Sequence, residues 1–363
     1  MAYADYFPLP VSEDEITAQW LTAALRQRAP DVTVTGFDFV DAVRGTSTKL
    51  RLRLQLDEAG RQAGIPELVI LKGGFETHSR DFGYMHEREV RGYRDVLTRL
   101  SLPAPACYFA DYDAERRQGI IIMEDLVASG AEFCHASKPQ GFEQVARRLE
   151  VLARFHAGTW ESPELAPGGE WGDLVDFLDT VDSFFANKTS PQNWQRFIDS
   201  PRGAATARCF QSRDWMLDAW ARLKRFAKQM PYCVLHGDIH LGNLYIAADG
   251  TPGFFDTLAS RGPGMLEVSY HISASIDVAD RPRWERALVQ HYLETLARCG
   301  VAIPDFDTAM HQYAIALVYG HFIWMTTESE YQTEAVNTAN IMRVCAAMLE
   351  HDTPSLLRAL PPA

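Results

Sequence analysis

The spacing of apolar residues changes period once along this chain, and that change limits the folds open to it. Up to residue 127 the repeat is two. "VTVTGFDFV" alternates, "KLRLRLQL" alternates strictly over residues 49–56, and "ELVILKGG" ends an apolar run at Lys72. "ACYFADYD" and "GIIIMEDL" read as two further strands, with a helix carrying Glu87, Glu89, Val90 and Tyr93 before them. Residues 12–15 ("SEDE") have the form of a capping box, opening a helix with Ile16, Trp20, Leu21 and Leu25 on one face. Beyond 127 the period turns helical: Phe142, Val145, Leu149, Leu152 and His156 recur before Gly158. About five strands followed by a mainly helical remainder predict an α+β chain of two lobes, 1–127 and 128–363. Small ligands usually sit in the cleft between such lobes.

Composition removes several functions. A net charge of −13 opposes binding to DNA or RNA, because phosphate contacts need a basic face. The N-terminal stretch has neither a basic nor an apolar segment of signal-peptide type. The most apolar run, residues 313–325 ("YAIALVYGHFIWM"), falls short of the roughly 20 residues of a membrane span, so it reads as a buried helix. The six cysteines are scattered without a C-x-x-C pair. They read as reduced, mostly core thiols of a cytoplasmic protein with no nucleic-acid or membrane partner. No oligomeric state is read from the chain.

One segment concentrates polar groups where buried strands should be: "CVLHGDIHLGNLYIAADGTPGFFD", residues 233–256. It parses as strand, loop, strand, turn and strand. The hairpin is expected to hold Asn243 and Asp256 side by side at its open end, with Asp238 on the preceding loop. One carboxylate and one amide are a suitable protein share of a Mg²⁺ site, since that ion takes oxygen ligands and keeps waters or phosphate oxygens. Asp238 is then left to orient a hydroxyl or accept its proton, the arrangement phosphoryl transfer needs. H-x-D-x-x-x-x-N is also the spacing of a kinase catalytic loop, with Gly237 in place of the usual arginine.

"HGDIHLGN" followed by "FFD" resembles the catalytic loop and metal-binding aspartate of the aminoglycoside phosphotransferase, choline kinase and ecdysteroid-kinase-like family. "ILKGG", "EREVRGYR", "IIIMEDL" and "LARFHAGTW" resemble further family segments in the expected order over residues 45–275. The resemblance implies a bilobal protein-kinase-like fold, with a small β-rich N-lobe and a larger mainly helical C-lobe. It implies a kinase that uses ATP and Mg²⁺ to phosphorylate a hydroxyl of a small molecule. It assigns Asp238 as catalytic base, Asn243 and Asp256 as Mg²⁺ ligands, Lys72 to the α- and β-phosphates, and Glu89 as the partner of Lys72. Adenine would meet the backbone of Met123, Glu124, Asp125 and Leu126, and the turn Gly45, Thr46, Ser47, Thr48 would cover the phosphates. His236 would pack beneath the loop. Three departures stand out: Thr257 where relatives often carry an aromatic, Glu267 in place of a bracing aspartate, and a single glycine in the phosphate turn.

Other readings compete. His236, Asp238 and His240 form H-x-D-x-H, a metallohydrolase pattern that would need a further ligand such as His271. A nucleotide-binding module without catalysis would also suit the single-glycine turn. "DFG" at residues 81–83 spells a kinase metal motif but precedes Glu89, so it reads as a loop. His156 reads as a packed helix residue. Aspartates at 173, 176, 179 and 182 suit a solvated helix face or an acidic wall for a cationic acceptor. The nearby Trp171, Phe177, Phe184, Phe185 and Trp194 suit an apolar acceptor equally.

Overall fold

The computed structural model describes residues 8–45 and 47–361. The chain divides into two compact units. One comprises the described residues up to Glu132 together with Tyr245–Ala259; the other comprises Phe133–Leu244 and the chain from Ser260 onward. The division differs from a single cut at 127, because the segment ending at Ala259 joins the sheet-bearing unit. Its anchors there are the Phe254 N–H, which donates to the Pro103 carbonyl at 2.9 Å, and the side chain of Asp256.

In the first unit, helix α1 (Ala18–Leu25) precedes strands β1 (Val34–Val43) and β2 (Thr48–Leu56), the short helix α2 (Glu58–Gln62) and strand β3 (Leu68–Gly73). Helix α3 (Gly83–Arg91) runs into a π turn over Gly92–Val96, followed by strands β4 (Cys107–Asp113) and β5 (Gln118–Glu124). The five strands form an antiparallel sheet in the order β1-β2-β3-β5-β4. Alternation sorts β2 as the sequence predicts: Leu50, Leu52 and Leu54 are buried, and they cluster with Trp20, Leu21 and Leu25 of α1. Ile121 and Met123 of β5 cluster instead with Val90 and Tyr93 at the end of α3. β5 is thus apolar on both faces, as a strand covered on both sides must be. The cap of α1 is Thr17, whose Oγ1 accepts from the Trp20 N–H at 3.1 Å; Ser12 makes no side-chain cap.

The second unit is helical: α4 (Phe142–Ala157), α5 (Phe177–Lys188), α6 (Pro191–Ile198), α7 (Pro201–Ala205), α8 (Arg213–Ala227), α9 (Gly264–Ser275), α10 (Arg281–Arg298), α11 (Phe306–Thr326), α12 (Glu334–Glu350) and α13 (Thr353–Ala359). Every residue of α9 is buried, and α11 buries all of residues 313–325 except Ile323. A helix apolar on all sides belongs in the centre of its unit. No helix among the described residues is long and apolar enough to cross a membrane. Strands β6 (Glu132–Phe133), β7 (Tyr232–Leu235), β8 (Leu244–Ile246), β9 (Pro252–Phe254) and β10 (Ser260–Pro263) complete the chain. All six cysteines are free; Cys233 and Cys345 are buried, but Cys209 and Cys299 are exposed, so the expectation of mostly core thiols is corrected.

Candidate active site

In the first unit, Lys72 of β3 stands directly opposite Lys49 of β2 and Ile121 of β5. Side chains alternate along a strand, so Lys72 leaves the sheet on the α3 face while Leu71 enters the α1 core. Its ammonium lies 2.6 Å from Glu89 Oε1 and 2.9 Å from Asp256 Oδ1. Lys49 Nζ donates to the other oxygen, Asp256 Oδ2, at 2.8 Å. Lys72 and Glu89 are 5% and 6% exposed, so these charges interact in a poorly screened environment.

Burial opposes the charge on Lys72, yet the carboxylates of Asp256 and then Glu89 outweigh it and hold the ammonium above the usual lysine range. Burial also opposes ionisation of Asp256, and the charges of Lys49 and Lys72 hold its carboxyl below the usual range. Glu89 is pushed up by its burial, against the pull of Lys72. Asp256 has φ of +56°, a left-handed conformation that costs a non-glycine residue free energy and has to be held by its surroundings.

Two cations that pattern reading left unassigned lie on this face of β2. Strict alternation marks Lys49 and Arg51 as polar positions, and only the strand register shows what they meet. Arg51 Nε donates to Asp125 Oδ2 at 2.5 Å, and Asp125 Oδ1 accepts from the N–H groups of Val127 and Ala128. Of the expected adenine segment, Met123 pairs with Ile70, the Glu124 N–H donates to the Ala106 carbonyl at 2.9 Å, and the carbonyls of Asp125 and Leu126 accept from Ser129 and Ala131. In the expected phosphate turn, the Gly45 carbonyl meets His78 Nε2 at 3.0 Å, Ser47 is half-buried, and buried Thr48 donates to Glu76 Oε1 at 3.3 Å. Thr46 lies outside the described residues.

In the second unit, β7 pairs antiparallel with β10, which runs directly into α9. The first turn of α9 thereby brings Glu267 beneath residues 236–243. Glu267 Oε1 accepts from the Gly237 N–H at 2.6 Å, and Oε2 meets His156 Nε2 at 3.0 Å. His156 in turn meets Tyr292 OH at 2.8 Å, so this buried histidine is a brace two bonds away from the loop. Gly237, at φ +93°, makes the turn that glycine permits, and His236 Nδ1 accepts from the Asp238 N–H at 3.2 Å.

Asn243 Nδ2 donates to both Asp238 Oδ2 and the Asp238 carbonyl, each at 3.0 Å. His240 Nδ1 accepts from the Gly242 N–H at 2.9 Å, which places the proton of a neutral ring on Nε2, 3.6 Å from Asp238 Oδ2. The loop therefore fixes one oxygen of Asp238 from inside the protein. Asn243 and Asp256, expected side by side, belong to different units: Asn243 is tied to Asp238, and Asp256 to the two lysines. The H-x-D-x-H pattern does not close into a zinc site. Both Nδ1 atoms are spent on backbone N–H groups, and no group of three His, Cys, Asp or Glu side chains among the described residues could hold a metal ion.

The acidic series is likewise engaged within the protein. Asp176 caps α5 and accepts from Tyr232 OH at 2.8 Å, while Asp179 and Asp182 pair with Lys224. Trp171, Phe177 and Trp194 are core residues, at 6%, 3% and 3% exposure.

The model of the phosphotransferase enzyme family matches residues 87–301, more than half of the 363-residue chain. No curated protein matches. Among solved structures, the chain is similar to a candidate aminoglycoside phosphotransferase from Ralstonia eutropha, with 15% identity over 93% of this chain and 98% of that one and a TM-score of 0.51. It is similar to an ethanolamine kinase of Plasmodium vivax, with 8% identity over 93% and 92% of the two chains and a TM-score of 0.51. It is also similar to LicA in complex with AMP, with 13% identity over 88% and 93% and a TM-score of 0.51. At these identities the likeness is one of fold, which is protein-kinase-like.

Proposed function

The chain belongs to the phosphotransferase enzyme family, and from that membership we propose that it is an ATP- and Mg²⁺-dependent kinase that phosphorylates a hydroxyl of a small molecule. The observation that carries the reading is Lys72, a buried ammonium strung between Glu89 and Asp256. A buried ion pair can often be replaced as a whole by apolar residues at little cost, so stability alone does not account for one. An ammonium aligned by two carboxylates is set up to meet phosphate. The AMP bound to LicA supports a nucleotide as the donor.

In this reading Lys72 contacts the α- and β-phosphates, Glu89 holds it, the segment 123–126 takes adenine, and the turn 45–48 covers the phosphates. Asp238 is the base. Its Oδ2 is occupied by Asn243, which leaves Oδ1 to orient the acceptor hydroxyl and take its proton. Asn243 and Asp256 would hold Mg²⁺, and their chemistry fits a hard cation. Asp256 is kept ionised, and because the Asn243 amide nitrogen is spent on Asp238, the atom it has left to give is oxygen. Bound Mg²⁺ neutralises phosphate charge.

Asp238→Ala is expected to bind nucleotide with near wild-type affinity by calorimetry while kcat falls about 10²- to 10⁴-fold. Asp256→Ala is expected to lose metal-dependent nucleotide binding as well. Equal nucleotide affinity in the two variants would contradict the assignment. Because Asp176, Asp179 and Asp182 are engaged internally, the acceptor panel extends beyond polycations, to choline-like alcohols, hydroxylated steroids and hydroxyacyl thioesters. ADP release on addition of one acceptor identifies the substrate.

A further inference from the structure

Helix α4 buries an arginine that pairs with no carboxylate among the described residues. Arg148 is 1% exposed, and its Nη2 meets the Sγ of Cys134 at 3.0 Å and Oε1 of Gln140 at 2.8 Å. Its Nε and Nη1 are buried without hydrogen-bond partners. A guanidinium keeps its proton in a protein, and an isolated buried charge is costly enough that a neighbouring ionisable group changes state instead. Of the two side chains that accept hydrogen bonds from Arg148 among the described residues, Gln140 is neutral. The Cys134 sulfur is the one of the two that can carry a negative charge. Burial pushes the Arg148 guanidinium down, and Cys134 is the largest influence in the other direction.

Cys134 itself is partly exposed, and its N–H donates to the Leu244 carbonyl at 2.9 Å, one residue beyond Asn243. A thiolate stabilised by a fixed cation and open to solvent is the environment in which cysteines become reactive. The other cysteines lack one or the other condition. Burial pushes the Cys107 thiol up to about 12 and that of Cys345 to about 12, and Cys233 is buried completely. Cys209 and Cys299 are exposed, but no arginine or lysine hydrogen bond reaches their sulfurs among the described residues.

We propose that Cys134 is a redox modification site, a thiolate held by Arg148 that reacts with hydroperoxides. The sulfur attacks one peroxide oxygen, and an S–O bond forms as the O–O bond breaks. Sulfur is oxidised by two electrons to the sulfenic acid, and hydroxide leaves and takes a proton from solvent.

The test treats the full-length protein with limiting hydrogen peroxide, traps sulfenic acid with dimedone and reads each cysteine by peptide mass spectrometry. Cys134 is expected to acquire the adduct about tenfold faster than Cys209 or Cys299, because a stabilised thiolate raises the reactive fraction by about that factor near neutral pH. Exposure alone predicts the reverse order. In Arg148→Met the Cys134 rate is expected to fall to that of Cys209 or below, and Arg148→Lys should retain part of it. Faster labelling of Cys209 and Cys299 in the wild type overturns the proposal, as does an unchanged Cys134 rate in folded Arg148→Met. The wild-type order decides the matter if the methionine variant does not fold.

Discussion

Lys49 shows how far a residue's identity can be read before its neighbours are known. Alternation places its side chain off the leucine face of β2, where a lysine is ordinarily solvated. The pairing of β2 with β3 sets it opposite Lys72 instead, so that the two ammonium groups close on the two oxygens of one carboxylate. Lys72 is anchored a second time by Glu89, whereas Lys49 has a more exposed side chain and Asp256 as its ion-pair partner. A divalent cation on Asp256 would therefore displace Lys49 first. In Lys49→Met the denaturation midpoint is expected to fall by the equivalent of about 1 kcal/mol, between the value of an exposed ion pair and that of a buried charged hydrogen bond. Affinity for Mn²⁺, read by electron paramagnetic resonance, should rise severalfold as the competing ammonium is removed. A variant unchanged in both measurements would show that Lys49 is a bystander. The pairing of Lys72 with Glu89 was legible because spacing and residue type survive without a fold. Lys49 was not, because its partner lies more than two hundred positions away.

At the scale of elements, the strands, the buried helix over residues 313–325 and the helix before Gly158 all follow from periodicity, because a half-buried element writes its geometry into its apolar pattern. The start of α1 did not follow. "SEDE" satisfies the capping pattern locally, yet Thr17 takes the role because the buried run Trp20, Leu21, Leu25 begins one turn after it. Thr257 is a more consequential contact. It is buried, and a Cβ built on Gly92 would lie 2.3 Å from its Cγ2, so the end of α3 packs directly on the residue that follows Asp256. Glu89 and Asp256 thus approach Lys72 from two segments locked together by a glycine and a threonine. Gly92→Ala is expected to destabilise the protein by about 1–3 kcal/mol through overpacking. Adding Thr257→Ser, which deletes the clashing methyl and keeps the hydroxyl, should recover most of that loss in urea denaturation. A double variant no more stable than Gly92→Ala would place the strain elsewhere.

Over the whole molecule, the change of period at residue 127 announces two kinds of architecture but not which unit each later segment joins. Residues 245–259 follow the 236–243 loop in sequence and read as part of the helical half. They belong to the sheet unit because their fixed points are there. Asp256 balances Lys49 and Lys72, the carbonyls of Leu258 and Ala259 accept from Arg88, and Phe254 bonds to Pro103. None of these long-range partners leaves a periodic trace. The sheet unit is therefore a discontinuous piece of chain, and cutting after Glu132 would remove the Asp256 carboxylate that both Lys49 and Lys72 contact. Breaking a buried ion network by removing one partner typically costs about 3–5 kcal/mol, a large share of a small domain's stability. Residues 8–132 alone are expected to lack a cooperative thermal transition by circular dichroism. The same fragment joined to residues 245–259 through a short glycine–serine linker should regain it, since Gly130 and Ala248 already lie within contact distance. Asp256→Ala in the joined fragment should abolish that gain. If 8–132 melts cooperatively without the added segment, the charge balance at Asp256 is not what makes the sheet unit complete.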